Sequence, residues 1–131
     1  MDSIFIKVAV VIKAILTEKL KNHLLKEFTK VSEQMDLEIK QINIDRQREL
    51  DSHPEQSEQI ARFFGNEIVQ RQRRKQEALE RHEHISKLAI GAEIVQGTME
   101  RQVELKIGDD FRKIMNVEVL IDDDKIVAIR E

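Results

Sequence analysis

Between residues 4 and 12 apolar side chains alternate along the chain. Ile4, Ile6, Val8, Val10 and Ile12 fall on one face of an extended segment, with Phe5, Lys7, Ala9 and Val11 on the other. A period of two with β-branched residues predicts a strand packed on one side. After Thr17 the period changes. Leu20, Leu24, Phe28, Val31, Met35, Ile39 and Ile42 are separated by steps of three and four, and neither Gly nor Pro occurs before Leu50. Those steps keep one apolar stripe on one helix face. Thr17 fits the N-cap and Glu18 the first turn, where a carboxylate meets the positive end of the helix dipole. The repeated steps of four depart from a strict heptad and predict a weak supercoil.

Asp51-Ser52-His53-Pro54 breaks the pattern. Pro ends one helix and suits the first turn of the next, and Ser52 with Glu55 has capping-box spacing. A second helix is expected from about His53 to Leu88, with a seam of Ile60, Phe64 and Ile68, a polar stretch, and then Leu79, His82 and Ile85. Gly65 inside it marks a kink or a close approach of the two helices. Equal helices of about 50 Å joined by a tight turn form an antiparallel hairpin, with Phe64 near Ile42 and Ile85 near Leu20.

From Gly91 the period returns to two. Val103, Leu105 and Ile107 alternate with polar residues, and Val117, Val119 and Ile121 alternate with Glu118 and Leu120. Gly108-Asp109-Asp110 and Asp122-Asp123-Asp124 read as turns, and residues 126–129 as a closing strand. A short strand at 94–96 would end before Gly97. The expected fold class is therefore α+β: a long antiparallel helical hairpin (coiled coil) carrying a small antiparallel β-sheet or open barrel of about five strands, formed by the N-terminal strand and the C-terminal strands. The expected parts are 1–16, the first strand; 17–89, the hairpin with its turn near 51–54; and 90–131, the C-terminal β segment.

Composition supports that picture. Charged residues make up 36% of the chain and aromatics 4%, with no Trp or Tyr. That balance suits long helices with a narrow apolar seam better than a compact globule. The net charge of −3 gives no global attraction to nucleic acid or anionic lipid. The lack of Cys removes disulfides, thiol catalysis and thiolate metal sites, and fits the cytoplasm. The apolar run from Ile4 to Leu16 does not read as a leader, because Asp2 precedes it and Lys7 and Lys13 interrupt it. As a helix it would span only about 20 Å, short of a bilayer core.

The densest basic run is Arg71, Arg73, Arg74 and Lys75. It is the candidate contact for nucleic acid, through its phosphates, or for another partner. The competing reading is a solvated helix face paired with Glu33, Asp36 and Glu38, and no Tyr or Trp is present to stack on bases. His82 and His84 are two apart and point to different sides of a helix, so a zinc site with His23 and Glu83 is disfavoured. The three consecutive Asp at 122–124 lack the alternate spacing of a calcium loop, and Asp109-Asp110 reads as a turn. Phe63 and Phe64 cannot both face one seam, so Phe63 is a candidate contact with another subunit. No Gly-rich phosphate loop or serine elbow occurs.

Val-Ile-Lys-Ala-Ile-Leu-Thr-Glu-Lys at 11–19, Ile-Gly-Ala-Glu-Ile at 90–94, Val-Glu-Leu-Lys-Ile-Gly-Asp at 103–109 and Asp-Lys-Ile-Val-Ala-Ile-Arg at 124–130 together resemble the YlqD-like family of uncharacterised bacterial proteins. The resemblance is strongest at both ends and implies a bacterial cytoplasmic protein with a strand, a coiled coil and a β segment; it brings no catalytic or binding residues. The expected function is that of a non-catalytic interaction or scaffold protein, homo-oligomeric, with no cofactor, metal, membrane or small-molecule substrate. The alternative is an RNA- or ribosome-associated factor using residues 71–75.

Overall fold

A computed structural model describes all 131 residues. The elements in chain order are β1 (Ser3–Ile15), α1 (Glu18–Ser52), a single 3-10 turn (Pro54–Gln56), α2 (Ser57–Lys87), β2 (Glu93–Lys106), α3 (Phe111–Met115), β3 (Glu118–Asp122) and β4 (Lys125–Arg130). They form two compact units. Residues Met1–Leu20 with Ala89–Glu131 make the sheet unit, and Lys21–Leu88 the helical unit.

The sheet is mixed, in the order β2-β1-β3-β4. β1 pairs antiparallel with β2 from Ser3 opposite Lys106 to Ile15 opposite Glu93. Both strands are longer than the hydrophobic alternation alone implied. Gly97 does not end a short strand at 94–96. Gln96 is one extra residue in the ladder, which continues through Gly97, so a bulge joins two expected strands into one. Four strands result, not five. The antiparallel expectation holds for β1 with β2 and for β3 with β4, but β3 runs parallel to β1, with Val11–Ala14 opposite Glu118–Ile121. The connection explains this. β2 ends beside the start of β1, and the chain then climbs through α3 to enter β3 beside Val11, already heading in β1's direction. The short helix α3 was not legible in the alternation. Asp110 caps it, its Oδ1 accepting from the N–H groups of Arg112 (3.0 Å) and Lys113 (3.3 Å).

The β3–β4 connection is a two-residue turn, since Asp122 faces Lys125. Asp123 and Asp124 both have positive φ, at 42° and 71°. That is the conformation a tight hairpin with right-handed strand twist requires. Asp123 Oδ1 also accepts from the Thr17 hydroxyl at 2.9 Å, and Thr17 Oγ1 in turn accepts from the Leu20 N–H at 3.1 Å, the expected N-cap of α1.

The sheet has two edges, β2 and β4, and is open. One ion cluster links them. Arg130 on β4 reaches Glu93 on β2 (2.6 Å) and Glu118 on β3 (3.2 Å), while Lys13 on β1 pairs with Glu118 at 2.8 Å. A side chain on one edge can meet the other edge across two intervening strands only if the sheet curls there. Lys13 and then Arg130 hold the Glu118 carboxyl below the usual glutamate range, and Glu93 and Glu118 make Arg130 hold its proton more tightly. A lowered carboxyl pKa means stability that is present above the unfolded value and lost as pH falls through the folded one. We therefore expect the sheet unit to weaken on acidification below the ordinary glutamate range. E118Q should flatten that acid limb in pH-dependent unfolding.

The apolar core of the sheet unit is Val8, Val10, Ala14, Leu16, Val117 and Leu120. In the helical unit the buried residues are Ser32, Met35, Ile60, Ala78 and Ile85. The antiparallel register follows from cross-helix bonds: Lys21 Nζ donates to the carbonyls of Ser86 (3.1 Å) and Leu88 (2.8 Å), and Lys75 pairs with Asp36. Lys21 thereby satisfies carbonyls at the C-terminus of α2. Ala78, not Leu79, occupies the seam, and Leu79 is exposed, about 100° further round the helix. The Ser52–Glu55 capping box is not made. Ser52 is the last residue of α1, neither His53 nor Gln56 makes a side-chain cap, and the reversal is held by main-chain bonds from His53 to Glu49 and from Gln56 to His53. Gly65 marks no close approach, since a Cβ there would meet nothing within 4 Å. G65A should stabilise α2 by about 1 kcal/mol, read as a higher urea midpoint of the helical signal.

Candidate interaction surface

The four residues of the basic run do not form one surface. Buried and half-buried seam residues of α2 follow Phe64 as Ile68, Arg71, Lys75, Ala78 and His82, at steps of three and four. Arg71 and Lys75 therefore sit in the seam itself. Arg71 Nε meets Glu38 at 3.4 Å and its NH1 bonds the Glu67 carboxylate, while Lys75 Nζ meets Asp36 Oδ1 at 2.7 Å. Arg73 and Arg74 are exposed and make no ion pair. Arg74 lines an open groove with Lys30, Glu33, Gln34 and Leu37, and Glu33 forms no ion pair with the run. The helical unit as a whole is neutral, its 13 Lys and Arg matching its 13 Asp and Glu.

The remaining candidates have local roles. Asp109 Oδ2 accepts from the Lys106 N–H at 2.7 Å, closing the turn after β2. His82 is half-buried, and His23 and His84 are exposed. No group of three His, Cys, Asp or Glu is placed to hold a metal ion. Phe63 is exposed and packs edge-to-face on Phe64, with centroids 5.2 Å apart.

A further surface, which no sequence motif marks, lies on α1. Lys26, Lys30, Glu33, Leu37, Lys40, Ile44 and Arg48 are all exposed and follow one another at steps of three and four. That spacing keeps them on one face, and Lys30, Glu33 and Leu37 of this face border the groove that Arg74 also lines. Leu37 and Ile44 are 60% and 54% exposed, although they are large and apolar. The signal was present in the sequence as a second, weaker apolar phase, with members seven apart and four cations at the same helical spacing, of which Lys30 and Arg48 pair with Glu27 and Asp45. The stronger seam phase masked it.

These features define a class: a helical hairpin with an ion-paired centre, together with a curled four-stranded mixed sheet. The chain belongs to the YlqD family, whose model, described as YlqD protein, matches residues 4–130. A crystal structure from Synechococcus sp. WH 8102, titled as a protein of unknown function, has the same fold. It superposes with a TM-score of 0.88 at 20% identity, covering 98% of this chain and 95% of that one. No curated protein matches the chain. No helix is long and apolar enough to cross a membrane.

Proposed function

We propose that the protein is a non-catalytic cytoplasmic scaffold that self-associates and binds a protein partner along the exposed Leu37–Ile44 face of α1. The observation that carries this reading is the exposure of Leu37 and Ile44 within a run of Lys26, Lys30, Lys40 and Arg48. Large apolar side chains left in water among cations favour a partner offering apolar contacts and carboxylates. The fitting partner is an acidic amphipathic helix, which would set its own apolar residues against positions 37 and 44.

A second reading, RNA binding, is favoured by one observation, that Arg73 and Arg74 are exposed and without carboxylate partners. The neutrality of the helical unit limits it. Affinity capture from bacterial lysate, with and without nuclease, separates the two. On the leading reading L37E/I44E loses a nuclease-resistant polypeptide that R73Q retains. Loss of RNA from R73Q/R74Q, with L37E/I44E unaffected, would instead establish the second.

A further inference from the structure

The middle strand of the sheet is paired on both sides for only part of its length. β2 covers β1 from Ser3 to Ile15, whereas β3 covers only Val11–Ala14. The direction of the main-chain groups follows from two bonds. Asp2 C=O accepts from Ile107 N–H on the β2 side, and Val11 N–H donates to Val117 C=O on the β3 side. Directions alternate along a strand. The even-numbered residues therefore bond β2, and Phe5 and Lys7 turn their N–H and C=O groups to the edge that β3 does not reach. Phe5 and Lys7 are exposed, and so is Ile4. The edge carries no bulge or Pro, and Lys7 is its only charge between Ser3 and Val10. Unpaired, apolar strand edges of this kind pair with another strand.

We propose that this edge of β1 is the self-association interface, where it pairs antiparallel with β1 of a second copy about an axis at Ile6. This rests on the self-associating reading above and names its surface. Outward-facing residues must meet outward-facing residues, so the axis falls on a residue. An axis at Lys7 sets Lys7 against Lys7, a like-charge pair directly opposed, which is destabilising. An axis at Phe5 sets Asp2 against apolar Val8. An axis at Ile6 sets each Lys7 ammonium beside the partner's Phe5 ring, an attractive cation–π arrangement. It also sets Ile6 against Ile6 and Ile4 against Val8, which continues one apolar face through both copies. The two Phe5–Lys7 pairs satisfy all eight outward main-chain groups of these residues, and β2-β1-β1-β2 becomes one continuous ribbon. The sheet unit buries only six apolar side chains, few for a domain of its size, so the added packing strengthens a thin core.

The chain has no Cys, so a single introduced thiol reports the axis. Ile6 lies at a non-hydrogen-bonded position, where opposed Cα atoms are about 4.5 Å apart, within disulfide reach. We expect I6C to form a reducible cross-linked dimer in nearly full yield under mild oxidation, and I129C on the β4 edge to form none. K7P removes one outward N–H and no bond to β2, so it should weaken dimerisation at least tenfold while the circular dichroism stays that of the parent. A wild-type dimer whose I6C variant fails to cross-link, or which cross-links through I129C, would overturn the β1 edge and leave self-association standing. A wild-type monomer by light scattering at micromolar concentration would overturn both.

Discussion

L16A should lower the stability of the sheet unit by about 3 kcal/mol, the largest effect of any single truncation. Leu16 has no exposed surface at all. Its main chain is locked on both sides, the N–H donating to Ala92 C=O at 2.7 Å and the C=O accepting from Gly91 N–H at 2.8 Å. Neighbouring backbone therefore cannot collapse into the space a shorter side chain leaves. Truncation costs both the transfer free energy of the lost methyl groups and the cavity, and buried Leu-to-Ala changes fall at about 2–5 kcal/mol. With only six buried apolar residues in the unit, such a loss is a large part of its total. Urea unfolding followed by circular dichroism checks it. The midpoint should fall with an unchanged slope, and a shift below about 1 kcal/mol would mean that the Leu16 site is not packed as described.

R71E should be the most damaging charge reversal on α2, lowering stability by about 2 kcal/mol. Arg71 is a half-buried seam residue held by Glu38 across the hairpin and by Glu67 one turn earlier. Reversal removes two charge-assisted bonds and sets three carboxylates together. Partial exposure screens this, so the figure lies below that of a fully buried pair. The reciprocal change E38R should recover part of the loss in R71E/E38R, and a double-mutant cycle gives the coupling. R73E should change little, because Arg73 is exposed and makes no ion pair. Equal effects at 71 and 73 would contradict the division of the basic run into seam and surface.

Periodicity made the helices, their antiparallel pairing and the N-cap at Thr17 legible, because each depends on residues close in sequence. Met35, Ile60 and Ile85 lie where the apolar stripe put them. Ala78 was missed because Leu79 is the larger hydrophobe, and a seam is chosen by angular phase along the whole helix, not by size at one position. Gly97 looked like a terminator because Gly ends strands more often than it sits in bulges; only the partner strand decides. The parallel β1–β3 pairing depends on where α3 leaves the chain, a distance the alternation does not encode. The basic run was visible as composition, but its split depended on carboxylates 33 to 39 positions away. The Leu37–Ile44 face was readable, though ranked below a seam that takes the larger share of apolar residues.

A photoreactive amino acid incorporated at position 37 in living bacteria tests the central claim most directly. The account predicts a discrete adduct with another polypeptide that resists nuclease and disappears when Ile44 is also changed to Glu. A nuclease-sensitive adduct, or an adduct formed from position 73 and absent from position 37, would contradict it.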